Sequence, residues 1–468
     1  MDDPGASKNL GSRHRFVLCA AAALLLLTAL ASCLTSPPRP LFRPEPAVFA
    51  ALTEAIAKFR ALPLKRNIAL SPSIEEIPAQ SEATAPFELK HVEQAYKSIG
   101  LIPMDTDLGA ALGEYRRLEQ LFNYDSANGT IALAPAAAKL GTPFEKTDPV
   151  LARDAPLDFA IVAALQEQNF AWQERTRSVF LEDHRLALRA VAIGDGAITT
   201  IARAANNIDL SARELARSAR FADELEQAAG RLPAFLRSKI TFPYRDGSRF
   251  VLWALKARSW PGVNALYTNP PASTAALLHP EKYFISAEPP LRFFPAALLN
   301  QPGENLAVEQ SLGEFLVRAL LAGDIDVKSA GEIAAAWRGD QLFTFQQSAE
   351  LETIWYSAWT SPRQAAQFQR AYKSLLERRL RFRFDDPSAP SIESPLSGRT
   401  RDNRGVWLQA RDSVVLLLSG IPMERLRQRA DAAWRDLEID TDPAGLRFDS
   451  VRWQRVRNER SRFVGVVK

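Results

Sequence analysis

The sequence predicts an α+β protein in which helices dominate. Apolar side chains recur at helical spacing over most of the chain, and two short pairs of strand-like segments flank polar turns. Hydrophobic residues make up 47% and charged residues 24% of the chain, a balance typical of a folded globular protein. A helix-rich order with two small strand pairs is typical of the α+β class.

Residues 1–32 are predicted to be a lipoprotein signal peptide. A short basic region precedes an almost wholly apolar stretch at residues 16–30. The four residues Leu-Ala-Ser-Cys that end at Cys33 match a lipobox, in which small residues precede the cleavage site. We therefore expect the Cys33 thiol to be acylated and to anchor the mature chain in a lipid bilayer. A plain signal peptide and an uncleaved anchor are the alternatives.

The same segment predicts where the protein lies. An acylated cysteine places the mature chain on a membrane facing the periplasm, and Leu34 after the cysteine, in place of Asp, indicates the outer membrane. Cys19 is lost with the signal and Cys33 is consumed by lipid, and the sequence has no other cysteine. No disulfide and no thiol-based site is therefore predicted in the mature protein.

The mature chain divides into three predicted parts. Residues 33–46 are proline-rich and form an extended tether. Residues 47–383 form a largely helical core, and residues 384–468 a C-terminal hairpin and helix packed on that core. Helical periodicity is predicted at 47–62, 87–100, 107–121, 156–172, 180–204, 209–229, 246–258, 274–279 and 307–322.

Hairpins and loops complete the prediction. Segments 121–124 and 130–134 flank an Asn-Gly turn, which favours a β-hairpin. Segments 405–410 and 413–418 form a second hairpin, followed by a closing helix at 421–436. Stretches 68–86 and 384–404 are polar or proline-rich and are predicted to be loops.

Charge excludes one class of partner. Removing residues 1–32 takes away three basic and two acidic residues, so the formal net charge falls only from +4 to +3. Arginine-rich patches occur at 378–383 and within 452–462, and a solvated surface is the favoured interpretation of each. Because no basic stripe runs along the chain, we expect no nucleic-acid partner.

One helix carries a motif without its chemistry. Ala164-Leu-Gln-Glu-Gln168 with Phe170 resembles the second half of "HELxHALQDQxF", the motif of a family of predicted bacterial zinc metallopeptidases of the gluzincin kind. Four more segments of the chain resemble sequence blocks of that family, at 99–108, 122–131, 242–251 and 264–283. The chain is identified as a degenerate member of this family.

The resemblance implies a zincin-like core with small β-hairpins, a largely helical C-terminal region and a lost metal site. The family's two His positions fall on Phe159 and Ala163, its general base on Ala160, and its third ligand, a Glu, on Ile193. Two His at i and i+4 with a Glu between them hold zinc and activate water. None of these four side chains offers a lone pair, so we predict no metal, no other cofactor and no peptidase activity.

Other residues could still border the old cleft. Tyr124, Gln166, Asp195 and His279 are its candidate lining residues. A relocated metal site built from carboxylates is an open alternative, and its candidates are Asp158, Glu167, Asp195 and Glu281.

Three functions remain open. The leading hypothesis is a non-catalytic binding or scaffold lipoprotein that holds a peptide or an envelope protein in the old cleft. In the second, a structural envelope lipoprotein, Phe159 and Ile193 fill the cleft. The third is a hydrolase with a rearranged site. A pocket at Ala160 and Ala163 would favour ligand binding, whereas a solid core would favour the structural role.

Overall fold

The computed structural model describes residues 42–71, 88–135, 137, 149–299, 305–347, 350–385 and 394–440. The described residues from Arg43 onward belong to one compact unit. The predicted signal peptide, Cys33 and most of the tether lie outside the described residues. Within the described ranges, no helix has the length and apolar character needed to span a membrane.

The described residues are 57% helical and 19% strand, which confirms the helix-dominated α+β class. The helices of the first half are α1 Pro46–Arg60, α2 Leu89–Ser98, α3 Leu108–Glu119, α4 Pro149–Phe170, α5 Trp172–Ser178, α6 Glu182–Ala205, α7 Ala212–Ala228 and α8 Ala234–Phe242. A π-helical turn, Pro243–Gly247, joins α8 to α9. The later helices are α9 Ser248–Thr268, α10 Thr274–Leu278, α11 Glu281–Phe284, α12 Ala296–Leu299, α13 Gly313–Leu321, α14 Val327–Ala334, α15 Pro362–Arg379 and α16 Met423–Trp434.

The strands form three separate sheets. They are β1 Ala69–Leu70, β2 Phe122–Asp125, β3 Thr130–Leu133, β4 Arg292–Pro295, β5 Asn305–Gln310, β6 Trp337–Gln347, β7 Glu350–Trp359, β8 Leu396–Arg399, β9 Arg404–Arg411, β10 Val414–Pro422 and β11 Leu437–Asp440. The strand orders are β1-β3-β2, β5-β6-β7-β10-β9-β8 and β11-β4. All neighbouring pairs are antiparallel except β1 and β3.

The six-stranded sheet corrects four expectations. Residues 305–310 form a strand instead of the start of a helix at 307, and the C-terminal region carries this sheet instead of being largely helical. The predicted loop 384–404 contains β8, and the boundary predicted between 383 and 384 falls between strands of one sheet.

The sheet escaped sequence analysis because its long strands show no alternation of apolar and polar residues. Most of β7 is buried without alternation. Buried polar side chains occur both in β7, at Glu352, and in its neighbour β6, at Asp340. Asp340 is fixed by hydrogen bonds from the backbone N–H groups of Leu312 and Gly313, 2.9 and 2.8 Å, and from the Trp355 indole, 2.9 Å. Buried polar residues of this kind remove the period of two that identifies a strand.

Both predicted hairpins are present. β2 pairs with β3, and Gly129 in their turn has a φ of +68°, a conformation that glycine adopts at little cost. β9 pairs with β10, and the closing helix follows as α16.

Two glycines bring α6 against the π-helical turn. A Cβ atom at Gly194 would lie 2.5 Å from the carbonyl of Gly247, and one at Gly247 would lie 2.3 Å from the carbonyl oxygen of Ala190. Only glycine allows backbones to approach so closely. The contact fixes the position of α6, which also packs against α4, the helix of the degenerate motif. That helix begins at Pro149, so Pro156 lies inside it and not near its start as predicted.

Candidate functional site

The three positions that align with the metal ligands of the resembled family lie at one cavity. Phe159 and Ala163 of α4 and Ile193 of α6 line a cavity of about 320 Å³. Gly196, one turn after Ile193, also lines it, and a Cβ atom there would lie 2.9 Å from the Phe159 ring. The absence of a side chain at Gly196 therefore gives the Phe159 ring its place in the cavity wall.

Ala160, the position that aligns with the general base of the resembled family, does not line the cavity. It is 0% exposed, so its side chain belongs to the core beneath the lining residues. Phe159 is 8% exposed, which makes it part of the wall without filling the space. The open space beside Ala163 is the feature that distinguishes a ligand pocket from a solid core.

The cavity combines apolar walls with a charged rim. Its lining residues are Arg116, Glu119, Gln120, Leu121, Phe122, Asn123, Phe159, Ala163, Gln166, Trp172, Gln173, Thr176, Arg177, Arg189, Ala192, Ile193, Gly196 and Tyr244. Glu119 is the one acidic residue in this set, whereas three arginines belong to it. The lining contains neither histidine nor cysteine, and no group of three metal-ligating residues occurs within the described ranges.

The single acidic side chain is already neutralised. Glu119 accepts hydrogen bonds from the Arg189 guanidinium and from the Tyr115 hydroxyl. Burial raises the pKa of Tyr115 well above its usual range, and the nearby Glu119 charge raises it further. The pKa of Tyr244 in the cavity wall is raised for the same two reasons. Both phenols therefore stay protonated and can act as hydrogen-bond donors.

Two arginines at the cavity are not neutralised in this way. Neither Arg116 nor Arg177 forms an ion pair with any residue that the structure describes. The Arg177 Nε donates a hydrogen bond to the backbone oxygen of Gln173, 3.2 Å, and α5 carries both residues. With Glu119 paired to Arg189, the rim has an excess of positive charge.

A polar atom in the wall has no partner. The Trp172 side chain is 4% exposed, and its Nε1 is buried without a hydrogen-bond acceptor among the described residues. Its ring packs edge-on against Tyr267, with centroids 4.7 Å apart. An unpaired buried donor costs roughly 1–3 kcal/mol, so an acceptor supplied by a ligand would relieve that cost.

A buried ionic network lies behind the cavity. Asp195 accepts hydrogen bonds from Arg60 at 2.7 and 3.0 Å, and both side chains are 0% exposed. Further hydrogen bonds reach Asp195 from the Tyr267 hydroxyl, 2.6 Å, from Gln166, 3.1 Å, and from Thr199, 3.1 Å. The network ties α1, α4, α6 and α9 together.

Asp195 was predicted to line the cavity, and the network explains why it does not. Residues two apart on a helix point to nearly opposite sides, so Ile193 faces the cavity while Asp195 faces α1. Gln166 belongs to both, because it lines the cavity and donates to Asp195. Of the four candidate lining residues, Gln166 is the one that the structure brings to the cavity.

Tyr124 and His279 are engaged elsewhere. The Tyr124 hydroxyl accepts a hydrogen bond from Gln168 Nε2, 2.9 Å, and Phe122 and Asn123 border the cavity in its place. His279 Nε2 lies 2.7 Å from Glu314 Oε1. Neither is among the lining residues.

The four carboxylates considered for a relocated metal site do not form one. Asp158 is held by Arg203 through two bonds of 2.8 Å, and Asp195 by Arg60. Burial raises the pKa of Asp158 to about 7, although the Arg203 charge opposes that shift. Glu167 accepts from the backbone N–H of Gln173, 2.6 Å, and Glu281 lies 3.6 Å from His279.

His184 is a half-buried residue outside the cavity lining. Both of its ring nitrogens are buried without a hydrogen-bond partner among the described residues. Burial is the first cause that lowers its pKa to about 3, and the charges of Arg292 and Arg175 add to the shift. The imidazole therefore stays neutral near pH 7, and His184 is not among the residues that line the cavity.

Most of the polar residues at the cavity could not be predicted from the sequence. Tyr244 lies in the Phe-Pro-Tyr block of the resemblance and Trp172 directly follows the motif, so both had a detectable signal. The arginines at 116, 177 and 189 had none, because charged residues on a helix usually face solvent.

Comparison with known proteins addresses another part of the chain. Residues 303–428 match the model of a domain of unknown function, DUF8575. This segment spans the six-stranded sheet and contains none of the cavity-lining residues. No curated protein and no solved structure matches the chain. The cavity is therefore interpreted from its own residues.

Proposed function

We propose that the protein is a membrane-anchored extracytoplasmic lipoprotein that binds a ligand without catalysing a reaction. One observation carries the proposal. Phe159, Ala163 and Ile193, the positions matched to the metal ligands of the resembled peptidases, line one open cavity and carry no metal-binding group. The cavity thus keeps the place of a peptidase cleft without its chemistry.

The two rival functions fit the cavity less well. A structural lipoprotein with a filled cleft would leave no space beside Ala163, yet about 320 Å³ remains there. A hydrolase needs a nucleophile or a free general base at the cavity, and Glu119, its one carboxylate, is paired with Arg189. A peptide or a segment of an envelope protein is the ligand that the resemblance to peptidases suggests.

The absence of catalysis is testable on the purified mature chain. We expect no stoichiometric zinc by elemental analysis and no cleavage of casein or of a peptide library, because the cavity lining has no histidine or cysteine and its one carboxylate, Glu119, is paired with Arg189. A zinc peptidase assayed in parallel serves as the positive control. Zinc retained at one atom per chain through chelator washing, together with peptide cleavage, would refute the proposal.

Anchoring is tested separately. We expect Cys33→Ser to prevent acylation, so that the protein leaves the membrane fraction or accumulates as the unprocessed precursor. Cys19→Ser is the matched control, since Cys19 lies within the predicted signal peptide and should leave acylation unchanged. Unaltered size, acylation and membrane partition of the Cys33→Ser protein would remove the lipoprotein part of the proposal.

A further inference from the structure

The size of the cavity limits its ligand. A volume of about 320 Å³ lies at the lower end of the roughly 300–1,000 Å³ range of small-molecule sites. Since a water molecule occupies about 30 Å³ in the liquid, the space holds about ten heavy atoms of a ligand. A folded domain or a long peptide cannot enter, whereas one short chain or ring can.

The walls select an apolar body. Phe159, Ala163 and Ile193 offer no hydrogen-bonding group to a ligand, and the rings of Trp172 and Tyr244 add aromatic surface. Transfer of apolar surface from water to such walls is favourable. The part of the ligand that lies on Phe159 and Ile193 is therefore an aliphatic chain or an aromatic ring.

The rim favours a negatively charged group. Arg116 and Arg177 have no acidic partner within the described ranges, while the third arginine is neutralised by Glu119. The Trp172 Nε1 adds a buried donor that lacks an acceptor within the described part of the chain. A carboxylate is chemically suited to each of these donors, because it has only acceptors and binds guanidinium groups through charge-assisted hydrogen bonds.

We infer that the cavity binds a small amphipathic monocarboxylate, with its apolar body on Phe159, Ala163 and Ile193 and its carboxylate at Arg116, Arg177 and the Trp172 indole. The inference rests on the proposed function and names its ligand class. It requires no chemical step and no metal.

Decanoate is the probe for a calorimetric titration of the full mature chain. We expect decanoate to bind, decan-1-ol to bind more weakly because it lacks the charge, and acetate and decyltrimethylammonium not to bind. Arg116→Gln and Arg177→Gln should each weaken decanoate binding about tenfold, the effect of losing one hydrogen bond to a charged group. Decan-1-ol binding should be unchanged in both variants.

Arg117→Gln is the matched control. Arg117 follows Arg116 on α3, its side chain is 70% exposed, and it pairs with Glu114 at the surface. Its replacement should leave decanoate binding as in the natural chain. Ala163→Phe should abolish binding of decanoate and decan-1-ol together, because the added ring occupies the cavity, while circular dichroism checks that the variant is folded.

The outcomes separate the inference from the proposed function. Equal binding of decanoate by the natural chain and by Arg116→Gln and Arg177→Gln would overturn the inference. So would binding of a blocked peptide with a free C-terminal carboxylate when decanoate does not bind, although the proposed binding function would then stand. Zinc-dependent peptide cleavage would instead overturn the proposed function itself.

Discussion

Replacing Asp195 by asparagine should destabilise the folded protein by about 3–5 kcal/mol, the usual cost of leaving one member of a buried ion pair without its partner. Arg60 and Asp195 are both 0% exposed, and the asparagine side chain keeps the size of the aspartate. An arginine side chain stays charged in proteins, so the buried positive charge would remain without its partner. Asparagine also offers an NH₂ group where the aspartate oxygens accept from Tyr267 and Gln166.

The measurement is urea unfolding followed by circular dichroism, with Asp223→Asn as the matched control. Asp223 pairs with Arg245 at 2.6 Å, but its side chain is 57% exposed. Exposed pairs of this kind contribute roughly 0–1 kcal/mol, so the control should unfold almost as the natural chain does. If Asp195→Asn and Asp223→Asn lower the free energy of unfolding by similar amounts, the buried ion pair contributes no more to stability than the exposed one.

A double replacement separates charge from packing. If the cost of Asp195→Asn comes from the unpaired Arg60 charge, then Arg60→Met with Asp195→Asn should be more stable than Asp195→Asn alone. If the double variant loses as much stability as Arg60→Met and Asp195→Asn lose together when each is made alone, the unpaired charge is not the cause. Decanoate binding should also weaken in Asp195→Asn, because the aspartate holds Gln166 in the cavity wall.

The relation between α4 and α6 could be predicted because it depends on local pattern. Phe159 and Ala163 lie one helical turn apart, and the Gly-Asp-Gly segment after Ile193 allows close packing. The resemblance identified these positions, and the structure places Phe159, Ala163 and Ile193 at one cavity. The zincin-like nature of the core remains a proposal.

Long-range features could not be predicted in the same way. Strand β7 pairs with β10 across a large separation in sequence, and the buried polar residues of β5, β6 and β7 resemble those of loops or helices. The partner of Asp195 lies on α1, at Arg60, and nothing local to either residue indicates that pairing. The cavity rim likewise depends on α3 and α5 meeting α6 in space.

Introducing the metal ligands of the resembled family provides the strongest test of the proposal that the cavity is a vestigial cleft. Phe159→His, Ala163→His and Ile193→Glu together should create a site with two His ligands, one carboxylate and an open fourth position for zinc. The structure supports these three positions because all line the cavity. Ala160 is left unchanged, since a glutamate at this fully buried position would place a charge in the core.

Without metal, the triple variant should be less stable than the natural chain. Truncation of a buried phenylalanine typically costs about 3–5 kcal/mol, and the triple variant loses the Phe159 ring. Added zinc should recover part of the loss, because a ligand at 100 times its dissociation constant stabilises the folded state by about 2.7 kcal/mol. Thermal unfolding with zinc and with a chelator measures both effects. Full peptidase activity is not expected, because the variant has no general base at position 160 and no groups have been introduced to orient the new ligands.

The matched control carries Phe159→Ala and Ile193→Ala. It loses the same packing but gains no ligand, so its unfolding temperature should be the same with zinc and with chelator. If the triple variant folds and shows no rise with zinc beyond that of the control, the three positions do not converge closely enough to hold a metal. The cavity would then still be a ligand site by its own lining, but its descent from a peptidase cleft would have lost its main support.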